Sequence, residues 1–341
     1  MGSEVALVAV IKANGYGHGL AEVARVLAEH VDLFAVANFP EAVEARAVAP
    51  KHPIVILGPA LPAERAAIAA SGFIASVSSY EEAAAFGAVP ADAEAMVNVV
   101  VDTGMGRMGC DEAEAVTTLG RILQLARVKV HSVSTHLPVA DEDPAFTRAE
   151  LGRFANLVRE MQARAPGDYK AHALLSAGVL GFHDSAFDLV RAGLMLYGIS
   201  PLPEYQHLLR PAMALKARVV LVRDLPAGVA ISYGRTYTTP CAMRVATVGA
   251  GYADGYPRAL SNRGAEVLVG GRRCAVLGRV TMDMIVVDAS SVPNVSPGDE
   301  VVLIGRQGDA EILATEVAER AGTIAWEIFT GIGMRVRRVY L

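Results

Sequence analysis

Cysteine is scarce in this chain. Its three copies in 341 residues, Cys110, Cys241 and Cys274, are too few and too scattered for a disulfide framework or a zinc site. Long apolar runs are missing too, and none approaches the ~18 residues needed to cross a bilayer as a helix. The short apolar start leads into Lys12 with neither a charged leader nor a cleavage site, so no signal peptide is expected. There is no excess of basic charge: 31 Lys and Arg stand against 36 Asp and Glu, a formal net charge of -5. That balance argues against nucleic acid or a membrane surface as partner. Repeats and low-complexity segments are absent. What remains is the profile of a cytoplasmic protein of a reducing compartment. With 52% hydrophobic residues, it can build one large domain and a smaller one.

The first two hundred residues alternate regularly. Apolar, strand-like runs fall at 5–11, 33–37, 53–57, 73–77, 95–102, 128–135, 170–175 and 188–194. Stretches of helical period lie between them, at 20–30, 40–48, 62–71, 79–87, 111–126, 144–165 and 178–184. The strands are almost continuously apolar, as in a sheet covered on both faces. Eight such units predict an α/β fold with a closed (β/α)8 TIM-type barrel. After Pro201-Leu202-Pro203 the texture changes to short Val-rich runs at 213–223, 230–238, 243–250, 265–270, 273–279, 284–288 and 299–305. Turn residues separate them, which predicts a mostly antiparallel β domain. A helical stretch at 312–332, broken at Gly322, and a last strand at 334–341 complete it. The expected domains are 1–205 and 206–341.

Barrel chemistry gathers at the C-terminal ends of the strands. Lys12 ends the first run, ahead of Asn14-Gly15-Tyr16-Gly17-His18-Gly19. Asp102 to Arg107 follow the fifth, Thr135-His136 end the sixth, Ser176 follows the seventh, and Arg191 lies in the eighth. Each alone has an ordinary structural explanation, as a cap, an ion pair or a core histidine. Their placement on one rim points to a site. A lysine there is costly unless it is paired or reacting, and a desolvated amine can attack a carbonyl. Ser176 and the backbone of Arg191-Ala192-Gly193-Leu194 suit a phosphate. Two chemistries fit: pyridoxal phosphate held on Lys12 as an internal aldimine, or a Schiff-base aldolase acting on a sugar phosphate. Absorption of visible light separates them. In the second domain, Ser232-Tyr233-Gly234-Arg235-Thr236-Tyr237 and Gly251-Tyr252-Ala253-Asp254-Gly255-Tyr256 flank tyrosines with glycine, which leaves the phenols approachable.

These motifs, with Asp102-Thr103-Gly104-Met105-Gly106-Arg107-Met108-Gly109, Arg191-Ala192-Gly193-Leu194-Met195-Leu196-Tyr197-Gly198 and Gly278-Arg279-Val280-Thr281-Met282-Asp283, resemble the alanine racemase family from about residue 5 to the C-terminus. The resemblance implies a pyridoxal-phosphate enzyme that interconverts L- and D-alanine for peptidoglycan. It implies a homodimer whose active sites are shared between subunits. Lys12 would carry the cofactor and act as base on one face of the substrate α-carbon. Tyr233 of the other subunit would act on the opposite face. Two bases flanking one flat carbanion suit racemisation. Free lysine and tyrosine titrate near ~10, so both need help near neutral pH. Desolvation would help Lys12, and a network of His136 and Arg191 would help Tyr233. Arg191 would face the pyridine nitrogen and, unable to accept a proton, would weaken the electron sink. Arg107 would bond the cofactor's phenolic oxygen and the substrate. Tyr16, Ser176, Gly193 and Leu194 would hold the phosphate, with Trp326 at the position of a phosphate-touching tyrosine. Tyr252 and Met282 would line the carboxylate pocket, with Arg258 and Asp283 behind them.

The chain departs from the family pattern in places. Val100 stands where many members carry a carbamylated lysine, so Arg107 needs another means of orientation. Leu175 replaces a common asparagine, and Thr281 a common cysteine. Only eleven residues precede Lys12, fewer than is usual, so part of the β domain is expected either to lie outside this sequence or to close without that segment. The alternatives are a racemase of the same mechanism for serine, lysine or a broad range, and a non-catalytic pyridoxal-phosphate carrier. The second domain, with Tyr233 and Tyr252, speaks against the carrier.

Overall fold

The computed structural model describes residues 4–90 and 94–341. Two compact units emerge. The first runs to Leu196 and adds Ser200–Leu209; the second takes Tyr197–Ile199 and Arg210–Leu341.

The first unit is built on eight parallel strands: β1 (Ala6–Val10), β2 (Leu33–Val36), β3 (Ile54–Pro59), β4 (Ile74–Val77), β5 (Ala95–Asp102), β6 (Val128–Ser134), β7 (Lys170–His172) and β8 (Leu189–Ala192). Each pairs with the next, and β8 pairs back onto β1, so the sheet closes. Helices cover its outer face, which is why β2, β4 and β8 are buried along their whole length. Asn98 is 1% exposed. Its amide donates to Ser76 Oγ and Ser134 Oγ and accepts from Ser132 Oγ, so this buried polar group is satisfied across three strands. The helices Phe39–Val48 and Tyr80–Gly87 start at Asn38 and Ser79, whose side chains accept the third backbone N–H.

In the second unit, six antiparallel strands close a ring. Leu215–Leu225 pairs with Met243–Val248, then follow Ile285–Asp288, Arg272–Leu277, Glu266–Val269 and Glu300–Gln307, which returns to Leu215–Leu225. The helices Ala314–Ala321 and Ala325–Thr330 are separated at Gly322, where φ is 76°. Glycine takes this left-handed turn without a Cβ penalty.

Two expectations fail here. The run 230–238 is not one strand: Ala230–Ile231 and Tyr237–Thr238 pair, and Tyr233–Arg235 bulges out as a turn of 3-10 helix. Ser232 and Arg235 take positive φ, which ends the pleat. Residues 334–341 form no strand. Arg335 is held there by Asp254 and Asp283, a bond pattern that has no β periodicity.

Candidate active site

Lys12 follows the fully buried Ile11 at the end of β1. The backbone then turns left-handed for four residues, with φ of 53° at Ala13, 54° at Asn14, 58° at Gly15 and 50° at Tyr16. Gly15 N–H donates to Ile11 O and Gly17 N–H to Ala13 O, so this is one turn of left-handed helix. Such a turn costs roughly 1–2 kcal/mol at each residue with a Cβ. It persists because its surroundings hold it: Ala13 N–H donates to Glu41 Oε1 at 2.8 Å, and Leu20 N–H to Asn14 Oδ1 at 2.9 Å. The turn directs Tyr16 inward, against Gly193. A Cβ on Gly193 would lie 2.8 Å from the Tyr16 hydroxyl, so the two approach as closely as a bare backbone allows.

Positive charge converges on the lysine. Burial lowers the Lys12 pKa, and Arg107 and Arg191 lower it further, against Glu41, which raises it. His136 is pushed down to about 3 by burial and by Arg191, Arg107 and Lys12, so it is a neutral imidazole. The cation in its network is therefore Arg191. Arg107 is exposed and has no hydrogen bond or ion pair among the described residues. Burial raises the Tyr16 phenol to about 12, which keeps it a donor.

Arg191 is 5% exposed, and the barrel walls bind its guanidinium. One terminal nitrogen donates to His172 Nδ1 and, at 3.2 Å, to His172 O. The other donates to Thr135 O at 2.7 Å and Ala173 O at 2.9 Å. His136 Nδ1 is 3.5 Å from the latter nitrogen, at the limit of a useful bond. A guanidinium has five N–H groups. Four are used, which leaves the Nε–H as the one without an acceptor among the described residues. Burial, then Arg191, hold His172 well below the usual histidine range. Accepting at Nδ1, neutral His172 carries its proton on Nε2. Sequence reasoning missed His172, although it sits at the end of β7 on the same rim.

Beside Arg191, Ser176 Oγ accepts from Gly193 N–H at 2.9 Å and Met195 N–H at 3.4 Å. The hydroxyl hydrogen of Ser176 remains to donate. With the Tyr16 phenol set against the bare Gly193 backbone, it makes a small polar pocket. The Asp102–Arg107 turn winds around Asp102, whose Oδ1 accepts from Gly104 and Gly106 N–H. Thr103 fastens it to the barrel: its hydroxyl bonds Thr135 Oγ1 and donates to Glu150 Oε1, and its carbonyl accepts from Arg153. The same Thr135 gives its carbonyl to Arg191. Thus the turn bearing Arg107 and the cluster around Arg191 share one residue.

The other expected site residues belong to the second unit. Tyr233 tops its 3-10 turn and is 72% exposed. Ser232 Oγ donates to Arg279 O, and Gly234 packs on the Arg279 guanidinium, which ties this turn to the segment leading to Met282. Gly251 abuts the carbonyls of Thr281 and Met282, where a Cβ would lie within 2.4 Å. Tyr252 N–H and Ala253 N–H donate to those same carbonyls. Arg335 then clamps both loops, through Asp254 on one and Asp283 on the other. Tyr252 and Met282 are 40% and 53% exposed. Arg258 is exposed, and Trp326 is half-buried in Ala325–Thr330.

Comparison with known proteins agrees across both units. Residues 1–201 match the family model of the alanine racemase N-terminal domain, and residues 212–340 that of its C-terminal domain. The chain is similar to the alanine racemase of Symbiobacterium thermophilum, at 44% identity over 98% of this chain and 90% of that protein. It is 39% identical to that of Halothermothrix orenii over 100% of this chain and 91% of the relative. Among solved structures, the biosynthetic alanine racemase of Pseudomonas aeruginosa has a TM-score of 0.90 at 34% identity, covering 99% of this chain and 92% of its own. The alanine racemase of Bacillus anthracis with bound L-Ala-P has a TM-score of 0.87 at 34% identity, covering 98% and 88%.

Proposed function

The chain belongs to the alanine racemase family, and from that membership we propose how its residues divide the work of interconverting L- and D-alanine. The observation that carries the proposal is the rim cluster of Lys12, Arg107 and Arg191, a reactive amine among cations with Glu41 as the carboxylate that offsets them.

The residues fit pyridoxal phosphate. The phosphate would take the Tyr16 phenol, the Ser176 hydroxyl and the Gly193–Leu194 backbone, where only a residue without a Cβ leaves room. The ring nitrogen would take the spare Nε–H of Arg191, and its phenolic oxygen Arg107. Lys12 would hold the cofactor covalently. When bound, the cofactor supplies the electron sink that weakens the bond from the substrate's α-carbon to hydrogen.

The chain's own residues do the rest. Burial and two arginines favour the unprotonated Lys12 amine, so it can take or return the α-proton on one face. The Tyr233 phenol serves the other face, and its turn leaves the hydroxyl open for this. Arg191 would hold the ring nitrogen without protonating it, because a bound guanidinium has no proton to spare at neutral pH. That limits the lifetime of negative charge on the substrate and favours return of a proton to carbon over side reactions. Tyr252 and the backbone at Met282 receive the substrate carboxylate, together with Arg107.

The same reading makes the protein a cytoplasmic homodimer, with Tyr233, Tyr252 and Met282 each serving the partner's lysine. Supporting it, these three side chains and Met284 are large, apolar and exposed on connected loops of the second unit. The deciding experiment is a visible spectrum of the purified protein, then circular dichroism with L-alanine or D-alanine alone. Visible absorbance that borohydride abolishes while leaving the reduced cofactor attached to the Lys12 peptide, with racemisation from either enantiomer, supports the reading. Activity that survives in K12A refutes it.

A further inference from the structure

Glu41 is not among the residues that the two-base scheme uses, yet it acts on the site in two ways. It lies in the first turn of the helix Phe39–Val48, where Asn38 Oδ1 accepts its backbone N–H. One carboxylate oxygen accepts Ala13 N–H at 2.8 Å, and the other accepts Ala37 N–H at 2.8 Å. It therefore bridges the end of β2 and the left-handed turn after Lys12. Ala13 is the first residue of that turn with positive φ, and it has a Cβ, so its conformation must be imposed from outside.

The second action is electrostatic. The charged groups that face Lys12 are Arg107 from the turn after β5, Arg191 from β8 and Glu41 from the helix after β2. His136, also beside the cluster, is neutral. Of the charged three only Glu41 favours the protonated amine, and it forms no ion pair with Lys12, so it acts at a distance.

We propose that Glu41 is the positioning residue of Lys12: its carboxylate pins the left-handed turn and sets how much positive charge the amine meets. A site of arginines alone would give a lysine with little basicity to recover a proton from carbon. An ion pair would give one locked as ammonium. A carboxylate held by two backbone N–H groups, near but not touching, lies between these. The inference rests on Lys12 being the cofactor lysine only for its effects on turnover and on cofactor retention.

The test uses the full chain, stripped of cofactor with hydroxylamine. Trace acetic anhydride acetylates amines in proportion to their unprotonated fraction, so mass spectrometry of the Lys12 peptide across pH traces that amine's titration. E41Q keeps the arm and one acceptor oxygen but drops the charge. Its curve should move to lower pH, and holoenzyme kcat/KM for alanine should fall by about ten- to a hundredfold through misplacement of the lysine. E41D keeps the charge on an arm too short to bridge both N–H groups. Its curve should stay nearer the wild type than that of E41Q, while cofactor is lost faster on dialysis. Superposable wild-type and E41Q curves overturn the proposal, and so does an E41D curve displaced as far as that of E41Q. If E41Q does not fold, E41D decides: wild-type cofactor retention overturns the pinning role and faster loss supports it. A wild-type spectrum without cofactor on Lys12 would sink the two-base scheme yet leave the titration comparison intact.

Discussion

Replacing Arg191 with lysine keeps the charge and should still be costly. The guanidinium presents two nitrogens to two groups of acceptors, Nδ1 and O of His172 on one side, and Thr135 O and Ala173 O on the other. A single ammonium reaches one group at a time, so about two buried acceptors lose their donor. Each unsatisfied buried acceptor costs roughly 1–3 kcal/mol, giving a loss on the order of 2–4 kcal/mol after partial relaxation. For a unit of this size that is roughly a 5–15 °C fall in melting temperature. Scanning calorimetry on the cofactor-stripped full chain measures it without any contribution from catalysis. Lysine also sheds its proton more readily than arginine, so R191K holoenzyme should transaminate more per racemisation turnover. A stability loss under about 1 kcal/mol would refute the assignment of four structural bonds to this side chain.

Y233F should abolish exchange of the α-proton on one face while leaving the visible absorbance of the lysine-bound cofactor intact; deuterium exchange from each enantiomer separates the faces, and equal rates would remove Tyr233 as a base. In G193A, the new methyl lies 2.8 Å from the Tyr16 hydroxyl, so the phenol must shift and cofactor binding should weaken about tenfold or more, the cost of one bond to a charged group. Fluorescence titration reads this, and unchanged affinity would move the phosphate elsewhere. Burial raises the Glu150 pKa, against the Thr103 hydrogen bond and Arg153. A folded-state value above the unfolded one favours the fold in acid, and that benefit is lost as pH rises through the folded value. E150Q does not titrate. Its melting temperature should therefore exceed that of the wild type at neutral pH, with the gap closing towards pH ~4, near the unfolded value; a gap that widens on acidification contradicts this.

The barrel was legible because its signal is periodic and local. Eight apolar runs separated by helical stretches leave little choice of fold, and barrel geometry then places chemistry at strand ends. Lys12 was legible as a lysine where a buried strand stops. Its partners were not. Glu41 meets Ala13 across 28 residues, His172 meets Arg191 across 19, and Thr135 meets Arg191 across 56. No local pattern encodes such pairs, although the rim rule that selected His136 applies equally to His172. Backbone hand was only half visible. Gly15, Gly17 and Gly19 advertise a turn, but Ala13, Asn14 and Tyr16 adopt the same hand without glycine. In the second unit, Ser232 and Arg235 break a run whose tyrosines and threonines read as strand. The tail 334–341 looked like a strand because its alternation could not reveal that Arg335 is tethered to two aspartates.

The imbalance of charge at the rim leads to a last expectation. Arg191 has carbonyl dipoles around it, whereas Arg107 has neither acceptor nor counterion among the described residues, in a chain whose net charge is -5. The like charges of Arg107 and Arg191 repel in the folded state and separate on unfolding, so this pair works against the fold. An anion that binds only the folded chain relieves this and stabilises by mass action, about 2.7 kcal/mol at a hundred times its Kd. Pyridoxal phosphate should therefore raise the melting temperature of stripped protein by several degrees, pyridoxal without phosphate by much less at equal concentration, and inorganic phosphate by an intermediate amount that shrinks in high salt. The K12A variant separates the covalent share from the electrostatic one, since only the latter survives in it. Equal stabilisation by pyridoxal and pyridoxal phosphate would show that the phosphate adds no binding of its own, and the pocket at Ser176 and Gly193 would lose its role.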